Sequence, residues 1–329
     1  MRLLLRKKFL NIFIPTFIVL FVLIGGLTYY VYLRQKERIL TNTVNRYTYI
    51  LKQQGELINA LFTPTISVLN LLARQRSVVD YLKTPVNKKL LVDDMQLFAL
   101  SNRNYKQVRF IDTNGMEKIR INWIKDSVVI VPDSQLQNKS YRSYFIKSKK
   151  LKPGEIYISS IDLNVEHRKI EVPFQRVIRF ATPIYDLKRH LTGIIIINQY
   201  LNGFLLNLQK NYGNNNSDLM LLNADGYWLS APDRYPSYGF MFDSLTDQKF
   251  NKYFPQTWEY IVWQKHGSIY DNEGLFVFLN VQPEPDFKIK DNSLSNPIIS
   301  DKENRWYRSY QKNQKFKNYT NNCHNGICT

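Results

Sequence analysis

The residues of this 329-residue chain that could carry out chemistry are few and far apart. None of the histidines has the spacing of a metal-binding motif. Cys323 and Cys328 lie next to a histidine, but the rest of the chain offers no second pair of ligands. There is no Gly-x-Ser-x-Gly elbow, phosphate-binding loop, GG[DE]EF motif or kinase histidine box. We therefore expect no catalytic residue, no metal site and no cofactor. The histidines are His167, His190, His266 and His324.

The charge of the chain narrows its possible partners. The net charge is +18, and residues 101–200 carry 18 basic and 9 acidic groups. A basic protein can bind nucleic acid, but no dense run of Lys and Arg occurs in the body of this chain. We expect no nucleic-acid partner. The basic middle segment fits either an anionic ligand or an ordinary solvated surface.

Residues 9–33 form a run of 25 residues without a charge, which is long enough for a membrane-spanning helix. Basic residues at positions 2, 6, 7 and 8 favour a cytoplasmic N-terminus. A cleaved signal peptide is the alternative, but tyrosines at 29, 30 and 32 stand where a small-residue cleavage site would lie. The sequence predicts a single-pass protein of the cytoplasmic (inner) membrane with an extracytoplasmic or periplasmic body.

Helical periodicity continues beyond the span. Apolar residues recur every three or four positions over 34–82, with a possible kink at Pro64 and a stop at Thr84-Pro85. A second helix is predicted over 87–102. A long helix with an apolar stripe needs a partner surface, and two parallel copies would provide one. This pattern predicts a homodimer through residues 34–72.

After Asn104 the apolar period changes to two, which is typical of strands. A hairpin of strands over 105–111 and 117–124 is predicted around the Asp112–Gly115 turn, and the same signature returns in Asn223–Gly226. The two glycines lie 111 residues apart, so an αβ module is repeated once. Further predicted elements are a helix over 140–149, strands over 155–161, 176–185 and 193–199, a helix over 201–211, a helix over 248–264 and a strand over 275–281.

One span, a stalk helix and two αβ modules resemble the double Cache sensors that precede diguanylate cyclase and histidine kinase domains in bacteria. The matching pieces, in order, are FIDTNG, LQNKSYRSYF, VIRFATPIYD, TGIIIINQYL and LLNADGYWL. The resemblance covers about residues 9–285. It implies an α+β fold with a transmembrane helix, a long stalk helix and two tandem PAS-like modules with antiparallel sheets. It also implies a sensing function.

The resemblance further implies a ligand site in the membrane-distal module. Amino-acid-binding members grip the ligand carboxylate with an Arg-x-Trp-aromatic helix, which Arg142-Ser-Tyr144-Phe145 resembles. Their amine-binding acids correspond to Ser159 and Asn198, neither of which is acidic here. The implied ligand is thus a small polar or anionic molecule, such as a carboxylate without an amine. Arg142, Tyr144, Tyr157 and Asn198 would bind it. Alternatively, Arg142 is a surface residue and the aromatics fill the core.

The predicted organisation has five segments. They are the tip and span (1–33), the stalk and helical region (34–104), the membrane-distal module (105–200), the membrane-proximal module (201–300) and a basic tail that is disordered or aberrant (301–329). Within the tail, Trp306 could open a last strand like those of the family. Since no second span or output domain follows, we expect either a truncated receptor or a short tethered protein. A membrane-anchored enzyme and a partner-binding protein without a ligand are the alternative functions.

Overall fold

The computed structural model describes residues 2–84, 86, 88–166, 168–212, 217–271, 273–281, 298–300 and 306–312. They fall into two compact units, one before and one after residue 50. The fold is α+β with antiparallel sheets, which confirms the predicted class. The helices are α1 (Arg2–Ala73), α2 (Arg76–Lys83), α3 (Lys88–Leu100), α4 (Ser143–Ser148), α5 (Asn202–Tyr212), α6 (Phe250–Tyr253) and α7 (Pro255–Trp263).

The strands follow the predicted hairpins closely. β1 and β2 match the prediction to within one residue, and β8 matches it at both ends. The strands are β1 (Tyr105–Asp112), β2 (Glu117–Ile124), β3 (Ser127–Ile130), β4 (Ile156–Ile158), β5 (Asp162–Leu163), β6 (Val165–Glu166), β7 (Lys169–Ile170), β8 (Arg176–Tyr185), β9 (Leu191–Tyr200), β10 (Ser217–Leu222), β11 (Trp228–Ser230), β12 (His266–Asp271), β13 (Gly274–Val281), β14 (Ile298–Ser300) and β15 (Trp306–Lys312).

The helix α1 contains the uncharged run. Among the described residues it is the one helix long and apolar enough to cross a membrane, and its most apolar segment is not buried in the protein. The helix continues through Pro64 and ends at Ala73, so the break lies at residues 74–75. Thr84 caps α2, as the sequence predicted.

The second half of α1 packs inside its own chain. Leu51, Ile58, Leu69 and Leu72 are almost fully buried, and the Phe62 ring meets Phe180 of β8 edge to face, with centroids 5.5 Å apart. An amphipathic helix must bury its apolar stripe, and the sheet provides the surface that covers it here. Residues 51–72 thus need no second copy, which removes the predicted reason for dimerisation from that part of the stalk.

The first sheet has the order β14-β4-β8-β9-β1-β2-β3, with β5 on β8. Neighbouring strands are antiparallel except β14, which runs parallel to β4. Side chains alternate between its faces. One face is apolar and packs on the helices, as in the edge contact of Phe110 with Tyr81. The other face lies under α4 and is apolar around Ile194 and Ile196 but polar around Arg109 and Asn198.

The second sheet has the order β11-β10-β15-β13-β12. Its middle strand, β15, pairs with both β10 and β13 along its length. The sequence assigns residues 301–329 to a basic, disordered or aberrant tail in which Trp306 could open a last strand, and β15 begins at that residue. Strand pairing uses backbone groups, so a polar, basic sequence can occupy a strand when both neighbours offer pairing edges.

Two predicted helices are shorter than expected. The helix over 248–264 is split at Phe254 into α6 and α7, because the residue before a proline disfavours the helical conformation and Pro255 lacks an N–H. The helix over 140–149 begins only at Ser143, with Arg142 extended at its N-cap. The segment before the helix is instead bound to the β1–β2 turn, because the Lys139 N–H donates to the Gly115 carbonyl (2.6 Å).

A candidate ligand-binding site around Tyr144

Tyr144 lies at the centre of a group of cations. Its ring is buried beneath α4, and the Cζ atoms of three arginines lie 5.4 to 5.7 Å from its centroid. Such distances allow cation–π attraction. Arg109 comes from β1 and Arg179 from β8, whereas Arg142 comes from the loop before α4. Three parts of the fold therefore place guanidinium groups around one aromatic ring.

Arg109 is the best-connected of these cations and is fully buried. Its Nη1 donates to Oε1 of Glu117 (3.2 Å) and to the Tyr144 hydroxyl (3.3 Å). Its Nη2 donates to Oδ1 of Asn198 (2.7 Å), whose Nδ2 donates to Oε1 of Gln107 (3.0 Å). The amide of Asn198 is thus engaged at both ends, and its oxygen already faces a positive charge.

A chain of ion pairs extends from Arg109 across the sheet. Glu117 lies between Arg109 and Arg120 (Oε2 to Nη1, 3.7 Å), and Arg120 also pairs with Glu166 (3.3 Å). Glu166 then meets the Nζ of Lys139 at 3.8 Å. Cations and carboxylates alternate along this chain, and a cation stands at each end.

These contacts shift two pKa values. Burial, together with the charges of Arg109 and Arg120, lowers the pKa of Lys139 to about 8 despite its carboxylate neighbours. Burial alone would raise the pKa of Glu166, but Arg120, the Gln107 amide and Lys139 outweigh it and lower the value to about 2. Positive charge therefore dominates the electrostatics of this interior.

The other two arginines near Tyr144 differ in their partners. Arg179 is buried and its Nη1 donates to both oxygens of Asp162 (2.7 and 2.8 Å). Arg142 is half-buried, and no carboxylate pairs with it in the part of the chain that the structure describes. The positive charge of Arg142 interacts at longer range with the carboxylate of Asp162. That carboxylate already forms an ion pair with Arg179. Arg142 is the cation of this site that is available to an outside anion.

The structure brings the four predicted ligand residues together. Tyr157 on β4 belongs to the same buried apolar cluster as Tyr144. Asn198 on β9 reaches Tyr144 through Arg109, and Arg142 lies over the Tyr144 ring. Three of the four are buried, and Arg142 alone is partly exposed. Their role in binding stays a prediction.

Sequence reasoning missed Arg109 and Arg179, which lie beside the same ring, and Glu117, which pairs with Arg109. A signal was present, because Gln107 and Arg109 occupy alternate positions of β1 and so share one face. A charged residue inside a buried strand indicates an interior polar cluster. Pairing of Asn198 with both Gln107 and Arg179 in the sheet register places these polar groups side by side.

The described residues show no cluster of three or more His, Cys, Asp or Glu side chains suited to a metal. Cys323 and Cys328 lie outside the described residues.

A comparison with known protein families shows which family the chain belongs to. Residues 37–291 match the family model described as the sensor domain of bacterial histidine kinases. The chain belongs to this family of bacterial sensor domains. The sensor domain is the non-catalytic part of such receptors. A comparison with proteins of curated function gives no match.

Solved structures share the fold. A domain assigned to the sensory box/GGDEF family from Vibrio parahaemolyticus is 22% identical, with a TM-score of 0.69 over 83% of this chain and 97% of that one. The extracellular domain described as that of histidine kinase vpHK1S-Z8 is 22% identical, with a TM-score of 0.67 over 88% and 98%. The ligand-binding domain of the Pseudomonas aeruginosa PAO1 amino acid chemoreceptor PctC, in complex with GABA, is 13% identical, with a TM-score of 0.53 over 82% and 98%. These likenesses confirm the predicted Cache-like fold.

Proposed function

We propose that this sensor domain binds a small anionic molecule, such as a carboxylate, around Tyr144 in its first module, the αβ unit built on the first sheet. The family is one of sensors, and fold relatives bind small molecules that carry a carboxylate, among them GABA and L-isoleucine. Arg142, Tyr144, Tyr157 and Asn198 would form the site. This reading is preferred to a membrane-anchored enzyme or a ligand-free partner-binding protein.

The observation that carries the proposal is the state of Arg142. It is half-buried, lies over the Tyr144 ring at 5.7 Å and has no carboxylate partner among the described residues. A guanidinium fork binds a carboxylate through two parallel hydrogen bonds, and these are among the stronger interactions in proteins. An anion arriving at Arg142 would supply the missing partner.

A ligand with an amine fits poorly. The Asn198 oxygen, where an ammonium group would be expected to bind, already accepts a bond from Arg109. The Ser159 hydroxyl, at the other acidic position of amino-acid binders, is engaged with the Arg179 N–H and the Ser160 carbonyl. A carboxylate without an amine is therefore the preferred ligand.

A thermal-shift screen tests this proposal on the full chain in lipid nanodiscs, with acetate, propionate and butyrate set against glycine, alanine and GABA. Arg142→Ala should weaken binding of any carboxylate that stabilises the protein by roughly 30-fold or more. Arg103→Ala, which removes an exposed arginine elsewhere, is the matched control. Binding that is unchanged in Arg142→Ala would place the site elsewhere.

The topology belongs to the same proposal. The apolar helix and the family favour a single span in the cytoplasmic membrane with the sensor outside the cytoplasm. An alkaline phosphatase fusion after residue 250 should be active, and a reporter that works only in the cytoplasm should be silent at the same position. The reverse pattern would refute this topology.

Dimerisation is proposed through residues 34–50 of α1. Ile39 and Tyr49 expose about half or more of their surface there, while the stripe beyond residue 50 is buried in the chain itself. Single cysteines at positions 39–50 should crosslink with helical periodicity, whereas cysteines replacing Ile58 and Leu69 should not crosslink. A flat profile over 39–50 would contradict a parallel helix pair.

A further inference from the structure

The site around Tyr144 holds more positive than negative charge. Its cations are Arg109, Arg120, Lys139, Arg142 and Arg179, and its carboxylates are Glu117, Asp162 and Glu166. Five cations face three carboxylates, so the described residues leave an excess of two positive charges. The adjoining pair of Lys106 and Glu171 (3.9 Å) is neutral and does not change this balance.

This excess is located mostly in the interior. Lys139 is only 3% exposed, yet its nearest carboxylate, Glu166, lies at 3.8 Å and is shared with Arg120. Burial of a charge without a close partner is costly, because water no longer solvates it. The two cations left over are thus Lys139, which holds the weakest pair, and Arg142, which has none.

Unused donors point to the same place. The Nε atoms of Arg109 and Arg179 are buried and have no hydrogen-bond partner among the described residues, although both guanidinium groups lie beside the Tyr144 ring. Buried N–H groups without acceptors are uncommon in native structures. A carboxylate or phosphate oxygen entering this site would offer the acceptors that they lack.

The two leftover cations are carried on one turn. The Arg142 N–H donates to the Lys139 carbonyl (3.0 Å), and the Lys139 N–H is held by the Gly115 carbonyl. Gly115 has a φ of +84°, and a Cβ atom there would come within 2.5 Å of the Ser140 backbone. The β1–β2 turn thus fixes the segment that presents both cations to the interior.

We infer that the ligand is a small organic dianion, a dicarboxylate or a phosphate monoester, whose two negative charges are neutralised by Arg142 and Lys139. This inference rests on the proposed anion site and adds a second charge to its ligand. Two negative charges would balance the site. A monocarboxylate would leave Lys139 with its hydrogen bond to Oε1 of Gln137 (2.7 Å) but without a close anionic partner.

The test compares each dianion with an analogue of lower charge, using the full chain in nanodiscs. Malonate, succinate and glutarate are each paired with their monomethyl ester, and glycerol 3-phosphate is paired with glycerol. At least one dianion should bind ten-fold or more tightly than its partner of lower charge. The dicarboxylate and phosphate arms separate the two chemical classes.

Two variants link the second charge to Lys139. Lys139→Met should weaken dianion binding about ten-fold or more and leave monoester binding within about three-fold. Lys150→Met, which removes an exposed lysine, is the control. If the protein with Lys139→Met unfolds, Lys139→Arg should still bind the dianion, because it keeps the charge.

The outcomes separate the two proposals. Monoesters that bind as tightly as dianions and depend on Arg142 would overturn the dianion inference and keep the anion site. Dianion binding of unchanged affinity in Lys139→Met would also overturn the inference. If no dianion binds and no anion depends on Arg142, the anion site itself is wrong.

Discussion

The two modules share a turn and differ in what they bury. In the first, Oδ1 of Asp112 accepts the N–H groups of Asn114 and Met116. In the second, built on the second sheet, Oδ1 of Asn223 accepts those of Asp225 and Tyr227. The glycines that end these turns have φ values of +84° and +85°. The repeat seen in the sequence is therefore a repeat of backbone geometry.

Aligning the two modules at these turns shows how their buried side chains differ. Counting from the matched glycines, Arg109 corresponds to Met220 and Glu117 to Trp228. The first pair is a buried ion pair, whereas the second pair belongs to an apolar cluster with Phe250 and other aromatic residues. The backbone evidently folds with apolar side chains at these positions. The charges of the first module therefore serve something other than the fold, which is what a binding site requires.

The largest expected effect tests that conclusion. Arg109→Met gives the first module the residue type that the second module has at the matching position, Met220. Glu117 then stays buried, with Arg120 at 3.7 Å as its ion-pair partner. The cost of this substitution in free energy of unfolding should be about 3–5 kcal/mol. The double variant Arg109→Met/Glu117→Leu should recover at least half of that loss. Urea titration followed by tryptophan fluorescence measures both values.

A double variant as unstable as the single one would mean that the first module needs its charges to fold. The comparison between the modules would then fail. The matched control in the second module is Met220→Leu, a swap within the apolar cluster that should cost less than about 1.5 kcal/mol.

A smaller effect distinguishes the two turn glycines. Alanine at either position takes a left-handed conformation that costs about 1–2 kcal/mol. At Gly226 the new Cβ atom would meet the Trp258 ring at 3.4 Å, which is ordinary contact. At Gly115 it would collide with the Ser140 backbone at 2.5 Å and displace the segment carrying Lys139 and Arg142. Gly115→Ala should thus lose more stability than Gly226→Ala, and it alone should lose ligand affinity, as measured by thermal shift.

Equal losses in the two variants, with ligand affinity intact, would show that the 139–142 segment does not depend on the turn beneath it.

The acid limb of the stability curve should depend on Glu166. Its folded pKa, about 2, lies below the usual 4.5, so the stability it provides is complete above pH 4.5 and is lost as pH falls toward 2. Glu166→Gln should remove roughly 1 kcal/mol of this pH dependence. Unfolding measured between pH 2 and 6 tests this expectation, with exposed Glu259→Gln of the second module as the control. Identical acid limbs in Glu166→Gln and the parent protein would contradict it.

The smallest effect concerns the alkaline range. The pKa of Lys139 is lowered from 10.5 to about 8, so between these values the folded lysine has lost a proton that the unfolded chain still holds. Stability should therefore rise with pH from 8 to 10.5 relative to Lys139→Met. Urea midpoints at pH 7.5 and 10 measure the difference. If stability changes with pH to the same extent in the parent protein and in Lys139→Met, the pKa of Lys139 is not lowered. The side chains around it are Arg109, Glu117, Arg120, Gln137 and Glu166.

Periodicity and turn chemistry predicted most of the fold. The run of Ile194–Ile197 and the Asn-Gly turn specify strands and a hairpin through local geometry alone. The site was predicted in part, because Arg142 matches a known pattern and Asn198 aligns with one of its positions. Arg109 and Arg179 were missed because their partners lie on other strands, and register is a long-range property. Of the strand β15 the sequence indicated only a start at Trp306, since both of the strands that it joins are distant in sequence.

The position of β15 has a consequence for the order in which the chain can fold as it is synthesised. The second sheet lacks its middle strand until residue 312 has been made, so β10 and β13 cannot join before then. Until that moment both present open backbone edges, which invite pairing with other chains. Every strand of the first sheet except the short edge strand β14 is complete by residue 200. The charged interior can therefore assemble early, while the sheet of the aromatic module is completed last.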